Sequence, residues 1–430
     1  MSRRIDRRAA MGAAMGALAT VAAPVSARPP RVRAMRGDFL WGVATAAHQV
    51  EGNNVNSDCW LLESLRQSIF AEPSGDACDH YHLYEADIAM VAKLGFNSYR
   101  FSIEWARIEP VPGRFSLAEI AHYGRMLDAC KRRGLKTVVT LHHFTSPLWF
   151  ARAGGFENPE APEAFARYAA KVVEHLGDRI DWLCTINEAD LGFGPIPKAM
   201  ERAAAAIGSD RFAFFLTSTQ PAAKAIVRAC HAAARKAIAA ARPGLPVGYT
   251  LAMSDFQDAP GTSGHAAEAR AKHYGPYLEL ARDDGFIGVQ TYTREQFGEK
   301  GKVAVPKDAP RTQMGYEYYP AALGNTVRYA AETARVPVLV TENGIGTQDD
   351  AQRIAYIDGA LAALGAAIAD GVDVRGYIHW SLFDNFEWML GYRPKFGLVA
   401  VDRVTQKRTP KPSALHLGRI ARANRINRTI

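Results

Sequence analysis

Cysteine is scarce in this 430-residue chain. There are five, Cys59, Cys78, Cys130, Cys184 and Cys230, and none belongs to a C-x-x-C pair. That scarcity excludes a disulfide framework, and without clustered Cys/His spacing it leaves no metal-binding signature. In an oxidising compartment Cys59 and Cys78 could pair across a loop; free, buried thiols are the alternative. Long apolar runs are also missing. The segment Ala9–Ala23 is small-residued and mostly apolar, but too short to span a bilayer comfortably. After residue 36 there is no Pro/Ser linker, low-complexity tract or charge block, so nothing divides the chain into tethered modules. A length that could hold two or three domains is equally that of one α/β barrel.

Acidic residues are fewer than basic ones, 44 against 52, for a net charge of +8. Arg3, Arg4, Arg7 and Arg8 against Asp6 place +3 of it in residues 1–27. The remaining basic residues are scattered, except for Arg419, Arg422, Arg425 and Arg428, whose spacing fits a solvated helix face or tail. No basic stripe of the kind that binds nucleic acid is present. The arginine-rich start, the apolar run and the small-x-small triplet Val25-Ser26-Ala27 read together as an export signal over residues 1–27. The paired arginines resemble a twin-arginine bacterial signal. The expectation is an exported protein, periplasmic or secreted, that begins near Arg28 once cut.

What the sequence does contain is a recurring strand-like run followed by a helix-like run, the pattern of parallel α/β architecture. The strand candidates are short and apolar throughout, as strands buried on both faces should be. They are Phe39–Thr45, Phe96–Ile103, Lys136–His142, Trp182–Asn187, Pro246–Ala252, Phe286–Tyr292, Val336–Glu342 and Val374–Ser381. Helical spacing covers Tyr84–Leu94, Leu117–Arg133, Glu163–Leu176, Ala222–Ala241, Tyr319–Ala334 and Ala351–Ala369, with glycine stops after the first three. The fifth unit is the weakest, since Gly264–Arg282 must supply its helix. Polar or aromatic residues end five strands: His142 and His143, Asn187 and Glu188, Tyr292, Glu342 and Asn343, and Trp380. A doubly wound sheet confines its ligand to one switch point, whereas a closed barrel gathers side chains from many strand ends. The expected fold is therefore a single-domain (β/α)₈ TIM barrel over residues 37–420.

Glu188 and Glu342 both close buried-looking strands. One such glutamate is most often a structural cap, because a buried carboxylate must be hydrogen-bonded or paired. Two on the same face of one barrel point elsewhere. Glycosidic cleavage needs a pair of carboxyl groups, one to protonate the leaving oxygen and one to attack the anomeric carbon.

Six ordered segments carry a resemblance to glycoside hydrolase family 1. They are Trp41–Gly52, Tyr99–Ile103, Leu141–Phe144, Thr185–Glu188, Thr341–Gly344 and Trp380–Trp388. The resemblance implies a retaining barrel enzyme with Glu188 as acid/base and Glu342 as nucleophile. It implies that Arg100 and Tyr292 support the nucleophile, and that Asn187 bonds the sugar 2-hydroxyl. Gln49, His143 and Glu387 would grip the other hydroxyls, with Trp380 beneath the ring and Trp388 beside it. Taken singly, the tryptophans could be core packing, His143 a satisfied barrel histidine, and Arg100 the structural partner of Glu104.

The chain departs from the family pattern in places. Ala189-Asp190 follow the acid/base where proline and often asparagine are usual, and Gln290-Thr291-Tyr292 replaces Asn-Tyr-Tyr. Glu387-Trp388 matches the form that reads unmodified sugars. The resulting expectation is a β-glucosidase acting on small carbohydrate, aryl or alkyl glycosides, with no metal and no organic cofactor. Galactosidase or fucosidase specificity and transglycosylation are alternatives on the same fold. A non-catalytic sugar-binding protein is disfavoured by the retention of both glutamates.

Overall fold

The computed structural model describes residues 31–428; the expected leader lies outside them. Eight parallel segments form the ring: β1 Leu40–Ala44, β2 Ser98–Ser102, β3 Lys136–His142, β4 Trp182–Ile186, β5 Val247–Gly248 with Thr250–Ala252, β6 Ile287–Gln290, β7 Val338–Glu342 and β8 Val374–His379. Every neighbouring pair is parallel, from β1 through β4, and β8 returns to β1 through Gly376↔Leu40. Closure happens inside β5. Val247–Gly248 pairs with β4, and after Tyr249 the next three residues pair with β6. The pairing is tight at this switch: a Cβ on Gly248 would stand 2.2 Å from the Phe286 carbonyl oxygen, so only glycine fits.

The alternation of strand side chains divides the core in two. Leu40, Val138, Cys184, Phe286, Leu339 and Ile378 meet inside the ring, while Trp41, Val43, Phe101, Val139 and Leu141 pack outward under the helices. The helical layer is α1 His80–Leu94, α2 Leu117–Arg132, α3 Ala161–Leu176, α4 Pro221–Ala241, α5 His265–His273 with Gly275–Leu280, α6 Ala322–Ala334, α7 Asp350–Ala369 and α8 Pro412–Ala423. Ser116 caps α2 and Asp349 caps α7, each accepting a backbone N–H from the first turn. Gly95 ends α1 in the left-handed conformation at φ 104°.

Two additions shape the site. Beyond the ring, β5 and β6 continue as Asp255–Asp258 and Arg294–Gly298, which pair parallel, and Gly301–Val303 adds antiparallel. The chain between β4 and α4 carries a further helix, Pro197–Ala206. At the opposite end of the chain order, Arg31–Ala34 pairs antiparallel with Arg425–Arg428. Arg419, Arg422 and Arg425 are exposed, as their spacing led one to expect. The Cys59–Cys78 pairing is not formed: all five cysteines are free, buried thiols. Cys78 points its sulfur at the Asp384 carbonyl, and burial pushes it up to about 12. Among the described residues, no helix is long and apolar enough to cross a membrane.

Candidate active site

The C-terminal ends of the strands open into a cavity of about 1020 Å³. Its lining includes His143, Asn187, Glu188, Gln290, Tyr292, Glu342, Trp380, Glu387 and Trp388. Glu342, the last residue of β7, is 4% exposed and held from two sides. Arg100 on β2 places Nη1 2.5 Å from Oε1, and the Tyr292 hydroxyl donates to Oε2 at 2.6 Å. Arg100 is itself buried at 1% exposure and spans the ring, because its Nη2 donates to Asn187 Oδ1 at 2.6 Å. It has no bond to Glu104, which instead accepts from Thr145 and the Ala106 amide.

Glu188 follows β4 in a left-handed backbone conformation, φ 45°. A non-glycine residue there carries roughly 1 kcal/mol of strain or more. The strain is countered by Thr250 on β5: its hydroxyl accepts the Glu188 amide at 2.8 Å and its carbonyl accepts the Ala189 amide at 3.0 Å. The same hydroxyl bonds Asn187 Oδ1 at 3.2 Å, and Gln290 Nε2 donates to that oxygen at 2.8 Å. Asn187 Oδ1 is thus fixed by three donors, which aims its Nδ2 toward His143 Nε2, 3.2 Å away. Neither Thr250 nor Gln290 was given a role in the site from sequence. The signal for Thr250 was a hydroxyl in an apolar strand, and for Gln290 the change within Gln290-Thr291-Tyr292.

The two carboxyl groups sit in different fields. Burial raises both above the usual glutamate range. For Glu342, Arg100 and Tyr292 pull the other way. For Glu188 the neighbouring charges of Glu342, Asp190 and Glu387 add to burial, and the attraction of Arg100 opposes them. Glu342 therefore ionises first and Glu188 keeps its proton.

The aromatic floor is built from β3 and β8. His143 stacks between Trp380, at 5.6 Å and 19° between planes, and Trp388, at 6.1 Å and 14°. Burial keeps its ring well below the ordinary histidine range, so it is neutral. Gln49 is wholly buried: its Nε2 donates to the Phe386 carbonyl at 2.7 Å and reaches Glu387 at 3.5 Å, while its Oε1 has no partner among the described residues. Burial and the Glu342 charge push Glu387 up to about 8, against hydrogen bonds to Trp380 and Gln49. Among the described residues, no group of three or more His, Cys, Asp or Glu side chains is arranged to hold a metal ion.

A parallel barrel with two buried glutamates in unequal electrostatic surroundings facing a single polar and aromatic cavity defines a glycoside-cleaving enzyme. The chain belongs to glycosyl hydrolase family 1, whose profile matches residues 32–275 and 278–426. It is 32% identical to a β-glucosidase of Agrobacterium sp. over 88% of this chain and 93% of that one. It is 30% identical to a bifunctional β-D-glucosidase/β-D-fucosidase of Bifidobacterium breve over 87% of this chain and 95% of that one. Among solved structures it resembles the β-glycosidase BGL167, 52% identical with a TM-score of 0.87, over 90% of this chain and 97% of that one.

Proposed function

We propose that the chain is an exported bacterial retaining β-glucosidase in which Glu342 is the nucleophile and Glu188 the acid/base. The observation that carries the assignment of roles is the clamp of Arg100 and Tyr292 on Glu342, matched by the mainly acidic neighbours of Glu188. In the first step the Glu342 carboxylate bonds to the anomeric carbon while Glu188 gives its proton to the departing glycosidic oxygen. In the second, Glu188 takes a proton from water as the water displaces Glu342 and releases the sugar. Asn187, with its oxygen already satisfied and one N–H directed at His143, has its second amide N–H available to a sugar hydroxyl. Trp380 and Trp388 offer faces for the C–H side of the ring. A panel of aryl β-glucosides, β-galactosides and β-fucosides tests the reading: the glucoside should be cleaved with the highest kcat/KM and release the β-anomer first. Release of the α-anomer, or no turnover of any member, overturns it.

The export reading rests on the arginine-rich start and Val25-Ser26-Ala27. Protein recovered from its native host should begin at or near Arg28 by N-terminal sequencing. An intact N-terminus on protein confined to the cytoplasm is the contrary result.

Glu387 is expected to hold gluco-type hydroxyls, and its variant separates binding from stability. Glu387→Gln should lower kcat/KM on an aryl β-glucoside by about 2–4 kcal/mol of transition-state binding. Its stability should move the other way. A carboxyl whose folded value is about 8 against an ordinary 4.5 binds its proton more tightly in the folded state, so stability falls as pH rises from about 4.5 through about 8. The amide removes that loss, and Tm near pH 8.5 should rise by about 2–4 °C. Calorimetry at pH 5 and pH 8.5 reads the sign: the gain must be confined to the higher pH.

A further inference from the structure

The same cavity is lined, away from the sugar-facing wall, by cations. Lys224 and Arg228 lie one turn apart on α4, and Lys272 and His273 end the first segment of α5. We propose that this wall receives the aglycone and selects one that bears a carboxylate on an aromatic or otherwise flat apolar body. The proposal rests on the glycosidase reading and adds the class of leaving group.

Three observations carry it. First, the carboxylates of this wall are already engaged. Glu295 pairs with Lys302 at 2.9 Å and accepts from the Ser254 hydroxyl. Asp190 accepts the Ala252 amide at 2.9 Å, and its second oxygen lies 3.4 Å from His273 Nε2. Burial pushes the His273 ring down, but Asp190 overrides this and raises it above the ordinary histidine range, so the two charges face each other.

Second, the remaining cations form no close ion pair among the described residues, although Asp190 acts on Lys224 from a distance. Among the described residues, none of Lys224, Arg228 and Lys272 forms a salt bridge. Lys224 is half-buried, donates to the Leu191 carbonyl, and sits 5.2 Å from the Phe215 ring centre; burial brings it down to about 8. Arg228 is half-buried over the Tyr277 ring at 5.1 Å. Half-buried cations without a close counterion are poorly stabilised, and an anionic ligand would supply the missing partner. Third, the neighbouring surface is apolar and aromatic. Phe256 and Tyr277 back the wall but are themselves buried, and Phe193 leaves 51% of its surface exposed. A flat body can lie against the exposed Phe193 ring while its carboxylate reaches the cations.

The test compares 4-(carboxymethyl)phenyl β-D-glucoside with its carboxamide isostere. The methylene insulates the phenol, so the two leaving groups have similar acidity and differ in charge. At low salt, kcat/KM should favour the carboxylate by about 10-fold, and 1 M NaCl should bring the ratio close to one. The double variant Arg228→Gln with Lys272→Gln should lower that ratio about 10-fold. Lys272→Gln alone, at an exposed position, still lowers it should the double variant fail to fold. Preference for the carboxamide, or a ratio indifferent to salt and to both substitutions, overturns the proposal and leaves the glucosidase reading intact. Failure to cleave either compound, or 4-nitrophenyl β-D-glucoside, overturns both.

Discussion

Glu342→Ala is expected to lose turnover of every β-glycoside by on the order of 10⁴–10⁶-fold, regardless of leaving group. The uniformity follows from where Glu342 acts: no covalent intermediate forms without it, and a better leaving group does not replace the missing bond. The substitution also leaves the buried Arg100 guanidinium facing empty space, with Asn187 and the Thr341 carbonyl as its remaining partners. Breaking one side of a buried pair is destabilising, so Tm should fall. Circular dichroism has to show a folded barrel before the rate is interpreted. Azide gives the positive result. It fits the vacated space and attacks the anomeric carbon from the face Glu342 occupied, while Glu188 still protonates the leaving oxygen. The product is the α-glycosyl azide, identified by its anomeric proton coupling. The β-azide, or activity within about 10-fold of the parent, would mean that the nucleophile is another residue.

Eight strands were legible because a strand buried on both faces must be continuously apolar, and short apolar runs between helical repeats have few other readings. The clustering of polar residues at strand ends then marked one rim of the ring. Less legible was anything decided between strands. Thr250 looks like an ordinary strand residue in Thr250–Ala252; its importance comes from the amide of Glu188 standing 2.8 Å from its hydroxyl, across the β4–β5 seam. Gln49 was read from its motif alone, and only the fold shows that the turn Ala47–Val50 sets its amide beside Glu387. The fifth helix breaks after His273 and restarts at Gly275-Pro276, where proline suits a first turn. Asp255–Asp258 has no apolar alternation and joins a sheet only because Arg294–Gly298 lies alongside it.

The strained backbone at Glu188 and the clamp on Glu342 belong to one arrangement. Arg100 holds Glu342 with one nitrogen and Asn187 with another, and Thr250 holds both Asn187 and Glu188. On the proposed roles, the position of the acid is thereby tied to that of the nucleophile through the ring wall. Their charges are linked as well. The Glu342 carboxylate is one cause of the raised Glu188 carboxyl, and in the proposed mechanism esterification of Glu342 by the sugar removes that charge. Glu188 then becomes more acidic just when a base is required.

Glu188→Ala should therefore fail in a different way from Glu342→Ala. On an unactivated alkyl β-glucoside the loss should be on the order of 10²–10⁴-fold, since nothing protonates the departing oxygen. On 2,4-dinitrophenyl β-D-glucoside, whose phenolate needs little protonation, the first step should run near the parent rate and release a burst of phenolate. Hydrolysis should then stall, because the base that activates water is absent, and the glycosyl-enzyme should accumulate with the mass of the intact sugar on Glu342. Azide needs no base: it should restore turnover and give the β-glycosyl azide, the opposite anomer from that expected of Glu342→Ala. The pH profile supplies an independent reading. In the parent enzyme kcat/KM should rise as Glu342 ionises and fall as Glu188 loses its proton, and both limbs should lie above the ordinary glutamate range. Glu188→Ala should keep the acidic limb and lose the alkaline one. An alkaline limb that persists would assign it to another group, with Glu387, pushed up to about 8, as the first to examine.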